Sequence, residues 1–479
     1  MKNLKMYING KFVESRSGKW INVLNPSTEE VISRQPEGTI EDVDEALDAA
    51  KAVQKSWAKT PAIERAAYLK KMADGIRKRQ DEFVDIIMRE QGKTRSWATV
   101  EVGVTAEYFD YMAGWARRIE GEIIQSDRRG ETIMLFKEPI GVVAGILPWN
   151  FPFFLIARKA GAALITGCTI VLKPSQLTPE NCTEFAKVVD ESGLPAGVFN
   201  VVTGKGSVVG NALAASPKIG IVSVTGSVSA GQSIMKAAAD NITKVSLELG
   251  GKAPAIVFPD ADLETAAQWI VDSRIGNNGQ ICNNAERVYV HKDIKKEFTD
   301  ILLKKMQAVK VGDPCVDESV DMGPLVEKRA LDSVTEKVER AIKQGAKLLC
   351  GGHRVGEKGY FYAATILDDC KQDFDIIHEE TFGPVLPLVE FDDIDQVIAW
   401  ANDIEYGLAS SVFTKDIDTA TKVCRELEFG ETYINREHFE ALQGFHAGMK
   451  KSGIGGADGK HGMEEYLVTH VVYLDSHYE

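Results

Sequence analysis

The sequence predicts an α/β fold built around a doubly wound, nucleotide-binding parallel sheet. From residue 141 onward, short runs that are apolar on both faces alternate with helical segments, beginning with GVVAGIL, FLIARKAGAALI and TIVLK. Strands that are buried on both faces and separated by helices are typical of a parallel sheet covered on both sides. A second alternating series begins after Lys252 with APAIVF and continues through RVYVH to ASSVFT. With 479 residues, the chain is expected to form two or three domains.

The remaining elements follow in chain order. An N-terminal hairpin-like piece precedes two long helical stretches, VDEALDAAKAVQKSWAK and ERAAYLKKMADGIRKRQDEFVDIIMRE. Residues 119–140 predict two strands joined by an Arg-Gly turn. A helix is expected to start at Thr178, with Pro179 at its first position, and to stop near Gly193. The first alternating series then continues through VFNVV, SVVGNALA, IGIVSVT, SAGQSIMKAAA and KVSLEL.

One uncharged segment, IGVVAGILPWNFPFFLIA at residues 140–157, approaches the length of a membrane span. Pro148 and Pro152 interrupt it, and prolines break the helical hydrogen bonding that lipid requires. The segment is therefore interpreted as a buried strand that ends in a rigid turn, LPWNFP.

Charge and cysteine usage exclude several classes of protein. The net charge of −14 and the pI near 5.3 argue against binding to nucleic acid or to an anionic membrane. The first twenty residues lack the apolar core of a signal peptide. The seven cysteines are widely spaced without a CxxC pair, so neither a disulfide framework nor a metal site is indicated. A reduced, cytoplasmic setting is expected.

Two glycine turns are candidates for a dinucleotide site. GKGSVVG, residues 204–210, follows a strand and precedes a helix, but it is one residue longer than the usual dinucleotide fingerprint. In IVSVTGSVSAG, Gly226 and Ser227 lie between a strand and a helix, where free backbone N–H groups and the helix dipole suit a pyrophosphate. A purely structural turn remains as good an interpretation of either.

Cys282 differs from the other six cysteines, whose apolar or helical surroundings predict small buried side chains. It lies in the polar turn NNGQICNN, between a helix that starts at Asp262 and a strand. A nucleophilic thiolate needs such access, although a structural cysteine remains possible. All eight histidines follow Cys282, so a cysteine hydrolase with a Cys-His pair also stays open.

Six motifs distinguish these alternatives: ILPWNFP, KPSQ, VTGS, LELGGKAP, GQIC with Arg287 five residues later, and EETFGPV. In this order and spacing the chain resembles the aldehyde dehydrogenase superfamily over essentially its whole length, from MYINGKFV to EYLVTHVVYL. The resemblance implies an aldehyde dehydrogenase-like fold, with a Rossmann-type NAD-binding domain, an α/β catalytic domain and a small β oligomerisation arm.

The resemblance also implies the catalytic roles. Cys282 attacks the aldehyde to form a thiohemiacetal, and a thioester follows hydride loss. The Asn150 side-chain amide and the Cys282 backbone N–H bind the oxyanion. Glu248 is the general base, and Gly250 and Gly251 let its loop approach closely. An ordinary strand-end carboxylate and a turn asparagine are the alternative interpretations of Glu248 and Asn150. Because Glu248 activates water, a CoA-acylating reductase is disfavoured.

The implied cofactor is NAD, with NADP possible. Lys173 and Gln176 are expected at the adenosine ribose, Gly226 and Ser227 at the pyrophosphate, and Glu380 with Phe382 at the nicotinamide. The full set of expected cofactor contacts is Leu147, Trp149, Lys173, Ser175, Gln176, Gly206, Asn211, Gly226, Ser227, Leu249, Glu380 and Phe382. Gln176 departs from the acid that is common in NAD-using members, which puts strict NAD preference in question.

Within the superfamily, similarity to lactaldehyde and glycolaldehyde dehydrogenases runs through NFPFFLIARK, GETYINREHFEALQGFHAG and KSGIGGADGKHGMEEY. It implies a small hydroxyaldehyde substrate. The expected substrate contacts are Arg158, Asn283, Glu440 and His446. Surface charge for Glu440 and core packing for His446 are the alternatives.

The resemblance further implies domain limits. Residues 1–118 and 141–248 form the dinucleotide-binding domain, and residues 249–430 the catalytic domain. Residues 119–140 and 455–479 form the oligomerisation arm, joined by a substrate-site segment at 431–454. A homodimer or homotetramer is expected, because an exposed apolar strand edge needs a partner. A protein that binds nucleotide without reducing it remains a further alternative.

Overall fold

The structure is a computed structural model and describes residues 1–476. The strands of the N-terminal half are β1 (Lys2–Asn3), β2 (Met6–Ile8), β3 (Lys11–Val13), β4 (Trp20–Leu24), β5 (Val31–Pro36), β6 (Glu122–Gln125), β7 (Glu131–Pro139), β8 (Val142–Ile146), β9 (Thr169–Lys173), β10 (Phe199–Val201), β11 (Ile219–Thr225) and β12 (Lys244–Glu248). Its helices are α1 (Ile40–Lys59), α2 (Ala62–Lys78), α3 (Gln80–Gln91), α4 (Arg95–Ala113), α5 (Phe154–Thr166), α6 (Glu180–Ser192), α7 (Asn211–Ala214) and α8 (Val228–Ala238).

The C-terminal half continues the alternation. Its strands are β13 (Ala253–Val257), β14 (Ala285–His291), β15 (Lys347–Cys350), β16 (Thr365–Asp368), β17 (Val385–Phe391), β18 (Tyr406–Gly407), β19 (Ala409–Phe413), β20 (Glu431–Ile434), β21 (Met449–Lys450), β22 (Gly453–Ile454) and β23 (Leu467–Asp475). Its helices are α9 (Leu263–Ile275), α10 (Lys295–Gln307), α11 (Lys328–Gln344), α12 (Asp375–His378), α13 (Ile394–Asn402), α14 (Ile417–Glu426) and α15 (Gly459–Glu464).

The first sheet has a parallel centre in the order β12-β11-β8-β9-β10, flanked by β22 on one edge and by β2 and β3 on the other. Its two faces pack in separate cores. Val143 and Ile170 join the core formed with α2 to α6, whereas Val142 and Val171 join the core formed with α1, α7 and α8. The doubly wound sheet predicted from the apolar runs is therefore confirmed.

The strand order of this sheet reverses between β8 and β11. From β8 the chain moves one way through β9 to β10, and later the other way from β11 to β12. At such a reversal, the loops after the two strands diverge and leave a crevice at the carboxyl ends. The crevice falls at the turn 147–150 after β8 and at Gly226 and Ser227 after β11.

The second sheet has the order β15-β16-β17-β14-β13-β19-β20, and all its pairs are parallel except the antiparallel edge pair β15–β16. Along β13, Ile256 packs into one core while Ala255 and Val257 pack into the other. Cys282 lies on the connection between α9 and β14 at the carboxyl end of the first sheet.

A third sheet extends from the body of the protein. β7 pairs with β6 on one side and with β23 on the other, and the β7–β23 register runs unbroken from Leu467↔Pro139 to Asp475↔Glu131. Several apolar side chains on it are exposed, including Ile123 and Tyr473 at 77% and 67%. The two strands predicted at 119–140 are confirmed, and the last three residues of the predicted arm, 477–479, lie outside the described residues.

Two further sequence expectations have different outcomes. The segment at 140–157 forms β8, a turn and the start of α5, and no helix within residues 1–476 is long and apolar enough to cross a membrane. The stretch predicted as continuous helix at 64–90 breaks at Arg79, whose backbone is non-helical while its guanidinium bonds Glu82 and Glu184. Apolar residues continue at helical spacing on both sides of the bend, so the sequence pattern did not predict it.

The prediction that six cysteines are buried was partly wrong. Cys168, Cys182 and Cys370 are buried, Cys350 is half-buried, and Cys315 and Cys424 are exposed. Cys424 lies on the amphipathic helix α14, where only Ala420 and Val423 are buried. A position within a helix therefore did not predict whether the cysteine lies on the buried or the exposed face.

Candidate active site

A cavity of about 390 Å³ opens where the loops of the two large sheets meet. Its walls include apolar side chains of α4 and of the segment 151–155, among them Val100, Val104, Phe151, Phe154 and Leu155. The predicted site residues that line it are Trp149, Asn150, Arg158, Gly226, Ser227, Leu249, Cys282, Asn283, Glu380, Phe382, Glu440 and His446. The structure thus gathers residues spread over three hundred positions into one cavity.

The loop that carries Cys282 owes its shape to left-handed residues. Asn277, Asn278 and Gly279 have φ of 46°, 60° and 76° in succession. Asparagine and glycine adopt this region more readily than other residues. A Cβ at Gly279 would also lie 2.3 Å from the Gly383 carbonyl oxygen. The polar turn in the sequence is therefore a conformational requirement, and it holds Cys282 partly exposed at the cavity.

Asn150 both donates a hydrogen bond to this loop and accepts one from it. Its side-chain nitrogen donates to the Gln280 carbonyl at 3.0 Å, and the Asn277 amide donates to the Asn150 carbonyl at 3.0 Å. Asn150 is 6% exposed. The turn between the two prolines and the cysteine loop therefore form one rigid unit.

A buried ion pair beneath this unit was not predicted. Lys93 and Glu101 are both fully buried, and Lys93 also donates to the Asn150 carbonyl at 2.6 Å. The other Glu101 oxygen accepts the backbone N–H groups of Phe153 and Phe154 at 2.8 and 3.1 Å. One carboxylate therefore fixes both the turn and the start of α5. The only signal in the sequence is an acid on the apolar face of a helix.

Glu248 ends β12 and is 4% exposed. Its Oε2 accepts from the Thr225 hydroxyl at 2.7 Å and lies 3.8 Å from the Arg158 guanidinium. Burial would raise the pKa of Glu248, but Lys159, Arg158 and His446 outweigh burial and lower it, so the group is a carboxylate at neutral pH. It is not among the residues that line the cavity.

The glycines after Glu248 explain the close packing of its loop. A Cβ on Gly250 would lie 2.6 Å from Glu380 Oε2, and a Cβ on Gly251 would lie 2.6 Å from the Cys282 carbonyl oxygen. Only glycine permits both approaches, as the LELGG motif indicated.

At the cysteine end of the cavity, polar side chains pair with one another. Arg158 donates twice to Asp458, at 3.1 and 2.7 Å, and once to Glu440 at 2.9 Å. Asn283 donates to the other Glu440 oxygen at 2.8 Å and to the Tyr433 hydroxyl at 3.3 Å. Burial opposes the charge on Glu440, but His446 and Arg158 lower its pKa to about 2. Asp458, which completes this cluster, was missed in the sequence because 300 residues separate it from Arg158.

His446 is buried at 2% exposure and lines the cavity together with Cys282. Its Nδ1 lies 3.0 Å from Glu431 Oε1. Burial lowers the pKa of His446, but Glu431 and Cys282 raise it well above its usual value. The carboxylate of Glu431, which the sequence did not single out, thus holds an imidazolium beside the cysteine.

The expected cofactor residues that do not line the cavity lie around the crevice of the first sheet or beside it. Leu147 is buried next to β8, and its N–H donates to the Lys173 carbonyl at 3.0 Å. Ser175 caps its own turn through Leu177 N–H at 3.2 Å, and Gln176 is exposed, with its carbonyl bound by Gln35. Gly206 begins a π-helical turn that leads to Asn211, whose side chain accepts from Ser233. Ser227, which does line the cavity, caps α8 by accepting from Ala230 N–H at 3.2 Å.

Glu380, Phe382 and Trp149 meet at the other end of the cavity. Glu380 accepts from the Gly251 N–H at 2.8 Å, and burial together with Glu286 raises its pKa to about 7. The Phe382 ring meets Trp149 edge-on at 5.4 Å, and Phe382 has a left-handed φ of 52°.

Glu286, another unpredicted residue, fixes this end. Its carboxylate accepts from Lys252 and Arg274 and from the N–H groups of Thr381 and Phe382, at 2.7 to 3.0 Å. Burial opposes its charge, but Arg274 and Lys252 lower the pKa of Glu286 to about 2. Three buried charged groups, Glu286, Lys252 and Arg274, thus lie beneath the loop, and Glu286 holds its backbone.

Comparison with known proteins agrees with this geometry. A model of the Aldehyde dehydrogenase family matches residues 12–472. The lactaldehyde dehydrogenase of Escherichia coli (strain K12) is 59% identical over 98% of this chain and 98% of its own.

Solved structures agree as well. A crystal structure of lactaldehyde dehydrogenase from Escherichia coli superposes with a TM-score of 0.98, at 58% identity over 99% of this chain and 100% of that one. A 3,6-anhydro-L-galactose dehydrogenase in complex with NAP superposes with a TM-score of 0.97, at 43% identity over 98% of this chain and 100% of that one. The chain therefore belongs to the aldehyde dehydrogenase family of NAD(P)-dependent oxidoreductases.

Proposed function

We propose that this protein oxidises a short hydroxyaldehyde to the carboxylic acid through a thiohemiacetal and a thioester on Cys282. The observation that carries the proposal is the polar cluster of Arg158, Asn283 and Glu440 beside Cys282, in a cavity that also has apolar walls such as Phe151, Phe154 and Leu155. Polar groups in such a pocket favour substrates that can hydrogen-bond, over analogues that cannot. The similarity to a lactaldehyde dehydrogenase supports the same substrate class.

Cys282 performs the addition. Its thiolate attacks the aldehyde carbon, an S–C bond forms, and the carbonyl oxygen becomes an alkoxide. Within residues 1–476 the Cys282 N–H makes no backbone hydrogen bond, so it is available to this oxygen. The Asn150 amide uses one N–H on Gln280 and has a second for the substrate. Together they are the oxyanion donors, each worth about two to three orders of magnitude in rate.

The crevice of the first sheet fits a dinucleotide. NAD(P), when bound, accepts the hydride that the tetrahedral carbon loses. Lys173 ends β9, is 4% exposed, and has no side-chain hydrogen bond or ion pair within the described residues. Burial lowers its pKa to about 8. A Cβ on Gly206 would lie 3.9 Å from its Nζ, so this orphaned donor faces a gap that ribose hydroxyls suit.

Other residues complete the cofactor contacts. Gly226 and Ser227, at the N-terminus of α8, would bind the pyrophosphate. Trp149, Glu380 and Phe382 line the cavity together with Leu249 and would contact the nicotinamide. We assign NAD as the preferred cofactor. Because Gln176 carries no charge to repel a 2′-phosphate, we also expect measurable use of NADP. A relative solved with NAP supports this breadth.

Glu248 completes the reaction. Water adds to the thioester carbon, its proton passes to the Glu248 carboxylate, and the S–C bond breaks to release the acid and the Cys282 thiolate. The lowered pKa of Glu248 keeps it able to accept this proton. Because its carboxylate now rests on Thr225, a second rotamer turned towards Cys282 performs this step.

The grouping of Glu431, His446 and Cys282 favours a second candidate activity. A cysteine that shares a cavity with an imidazole oriented by a carboxylate resembles the arrangement of a cysteine hydrolase. Hydrolysis of activated esters without any nicotinamide would follow from it.

We propose that the protein assembles through the sheet β6-β7-β23. Its exposed apolar side chains, among them Ile123 and Tyr473, would be buried against a partner subunit, and a dimer or tetramer would supply one. We further propose that 1–118 with 141–248, and 249–430, act as the dinucleotide-binding and catalytic domains.

Absorbance at the NADH band tests the function. The assay compares lactaldehyde with propanal, and glycolaldehyde with acetaldehyde, using NAD and NADP in turn. We expect higher kcat/KM for each hydroxyaldehyde than for its deoxy partner. A preference for long apolar or aromatic aldehydes would refute the proposed substrate class, and ester turnover without hydride transfer from any aldehyde would favour the hydrolase.

A further inference from the structure

His438 lines the catalytic cavity with both ring nitrogens unpaired. It lies on the connection between β20 and β21 and is 9% exposed. Neither Nδ1 nor Nε2 has a hydrogen-bond partner. Within residues 1–476, no other side chain of the cavity lining has buried nitrogen or oxygen atoms without a partner. Buried polar atoms are nearly always bonded, so an unpaired pair in a cavity points to a ligand.

The neighbouring polar groups are already occupied. Arg158 is bound to Asp458 and Glu440, and Asn283 to Glu440 and Tyr433. His446 Nδ1 is likewise bonded to the Glu431 carboxylate. A substrate hydroxyl that accepts from Arg158 or Asn283 would compete with these protein acceptors, whereas the His438 nitrogens have no protein partner to displace.

Its position relative to the nucleophile fits a substrate contact. The His438 ring lies 5.6 Å from the Tyr433 ring. The Tyr433 hydroxyl is bonded to Asn283, the residue after Cys282, at 3.3 Å. His438 is therefore one aromatic ring away from the loop of the reacting sulfur.

The charge state of His438 limits the chemical class of ligand that it can bind. Burial, assisted by Arg436, lowers the pKa of His438 to about 4, so the ring is neutral at physiological pH. A neutral imidazole offers one N–H donor and one acceptor nitrogen, which suit a hydroxyl. It offers no positive charge for a carboxylate, and the cations nearby are already paired, Arg158 with Asp458, Glu440 and Glu248 and His446 with Glu431. The match is to an uncharged, hydroxylated aldehyde.

We propose that His438 is a specificity-determining residue that hydrogen-bonds a hydroxyl of an uncharged hydroxyaldehyde bound at Cys282. The proposal rests on the proposed function and assigns its selectivity to one side chain. His438 rather than the pre-paired Arg158 and Glu440 then supplies the free hydrogen-bonding capacity of the pocket.

The test measures kcat/KM for lactaldehyde and propanal, and for the semialdehyde of succinate, in wild type, His438→Phe and His438→Asn. Phenylalanine keeps a ring of similar size but removes both nitrogens. We expect His438→Phe to lower kcat/KM for lactaldehyde about tenfold, the order of one lost hydrogen bond, and to leave propanal unchanged or improved. His438→Asn keeps a donor and an acceptor, so it should retain most of the preference. His353→Phe, at an exposed histidine outside the cavity, is the matched control and should match wild type.

The outcomes separate the two proposals. A wild-type enzyme without preference for lactaldehyde over propanal overturns both of them. A wild-type preference that survives in His438→Phe overturns the role of His438 alone. Equal losses on lactaldehyde and propanal also overturn it, because they would assign His438 to folding or loop position. Efficient oxidation of the negatively charged semialdehyde by wild type would contradict the uncharged substrate class.

Discussion

Replacing Glu101 by Gln should reveal how much the buried pair beneath Asn150 contributes. The amide keeps the size of the side chain and one oxygen for the N–H groups of Phe153 and Phe154, but it removes the negative charge. Lys93, fully buried, is then left with no carboxylate partner. Removing one partner of a buried ion pair costs about 3–5 kcal/mol, because the other charge stays buried and unpaired. We expect a loss of that size in the free energy of unfolding, measured by urea denaturation.

The same substitution should reduce activity. Lys93 donates to the Asn150 carbonyl, so a displaced ammonium shifts the proposed oxyanion donor. A misplacement of about 1 Å at such a position can cost about a hundredfold in rate. Activity on aldehyde should therefore fall at urea concentrations where the variant remains folded.

Two controls make the reasoning refutable. Asp110→Asn on the same helix breaks a pair with Arg77 whose side chains are 45% and 39% exposed, and it should cost less than about 1 kcal/mol. Adding Lys93→Met to Glu101→Gln removes the orphaned charge and should restore most of the lost stability. If the double variant is no more stable than Glu101→Gln, charge burial is not the cause.

Four further outcomes are expected. Cys282→Ala should abolish aldehyde oxidation while NAD binding, measured by calorimetry, persists; activity near wild type would exclude Cys282 as nucleophile. Glu248→Gln should give a burst of about one NADH per active site in rapid mixing and then stall at the thioester, and loss of the burst would place Glu248 earlier in the reaction. Gln176→Glu should raise the ratio of kcat/KM for NAD over NADP by like-charge repulsion of the 2′-phosphate, and an unchanged ratio would show that residue 176 does not contact that ribose. The pKa of His446 is raised in the folded protein, so its protonation contributes stability that is full below about pH 6.5 and is lost as the pH rises through the folded pKa. The loss of stability in Glu431→Gln should therefore be largest in acid and should vanish in alkali. A difference in unfolding free energy from wild type that stays constant across pH would contradict this.

The sequence predicted the repeating elements well because both strand and helix signals are local. Thr169–Lys173, for example, is an apolar run between helices and is β9 in the structure. Twelve of the nineteen site residues that the resemblance predicted line the cavity, since the motifs of the family fall at strand ends. The close packing at Gly250 and Gly251 was also predictable from the sequence, and a Cβ at either position would lie within 3 Å of another atom.

The parts that sequence could not predict depend on partners distant in the chain. Glu101, Glu286 and Asp458 each sit in ordinary local patterns, and only the fold shows that they hold the catalytic loops. His438 was passed over because nothing local reveals that both its nitrogens are unpaired. The position of Glu248, resting on Thr225 outside the cavity lining, is a choice between rotamers that no motif records.

The pairing of β7 with β23 has a consequence for biosynthesis. Lys137 and Thr469, opposite each other in this pair, are 332 residues apart. At about 5–20 residues per second, a ribosome makes the β6–β7 hairpin roughly 17 to 66 seconds before the strand that covers its other edge. During that interval the nascent chain presents an unpaired, partly apolar strand edge, the feature most prone to wrong pairing. Slowing translation of the last hundred codons should therefore increase aggregation of the newly made protein, and chaperones that shield such edges should counter it.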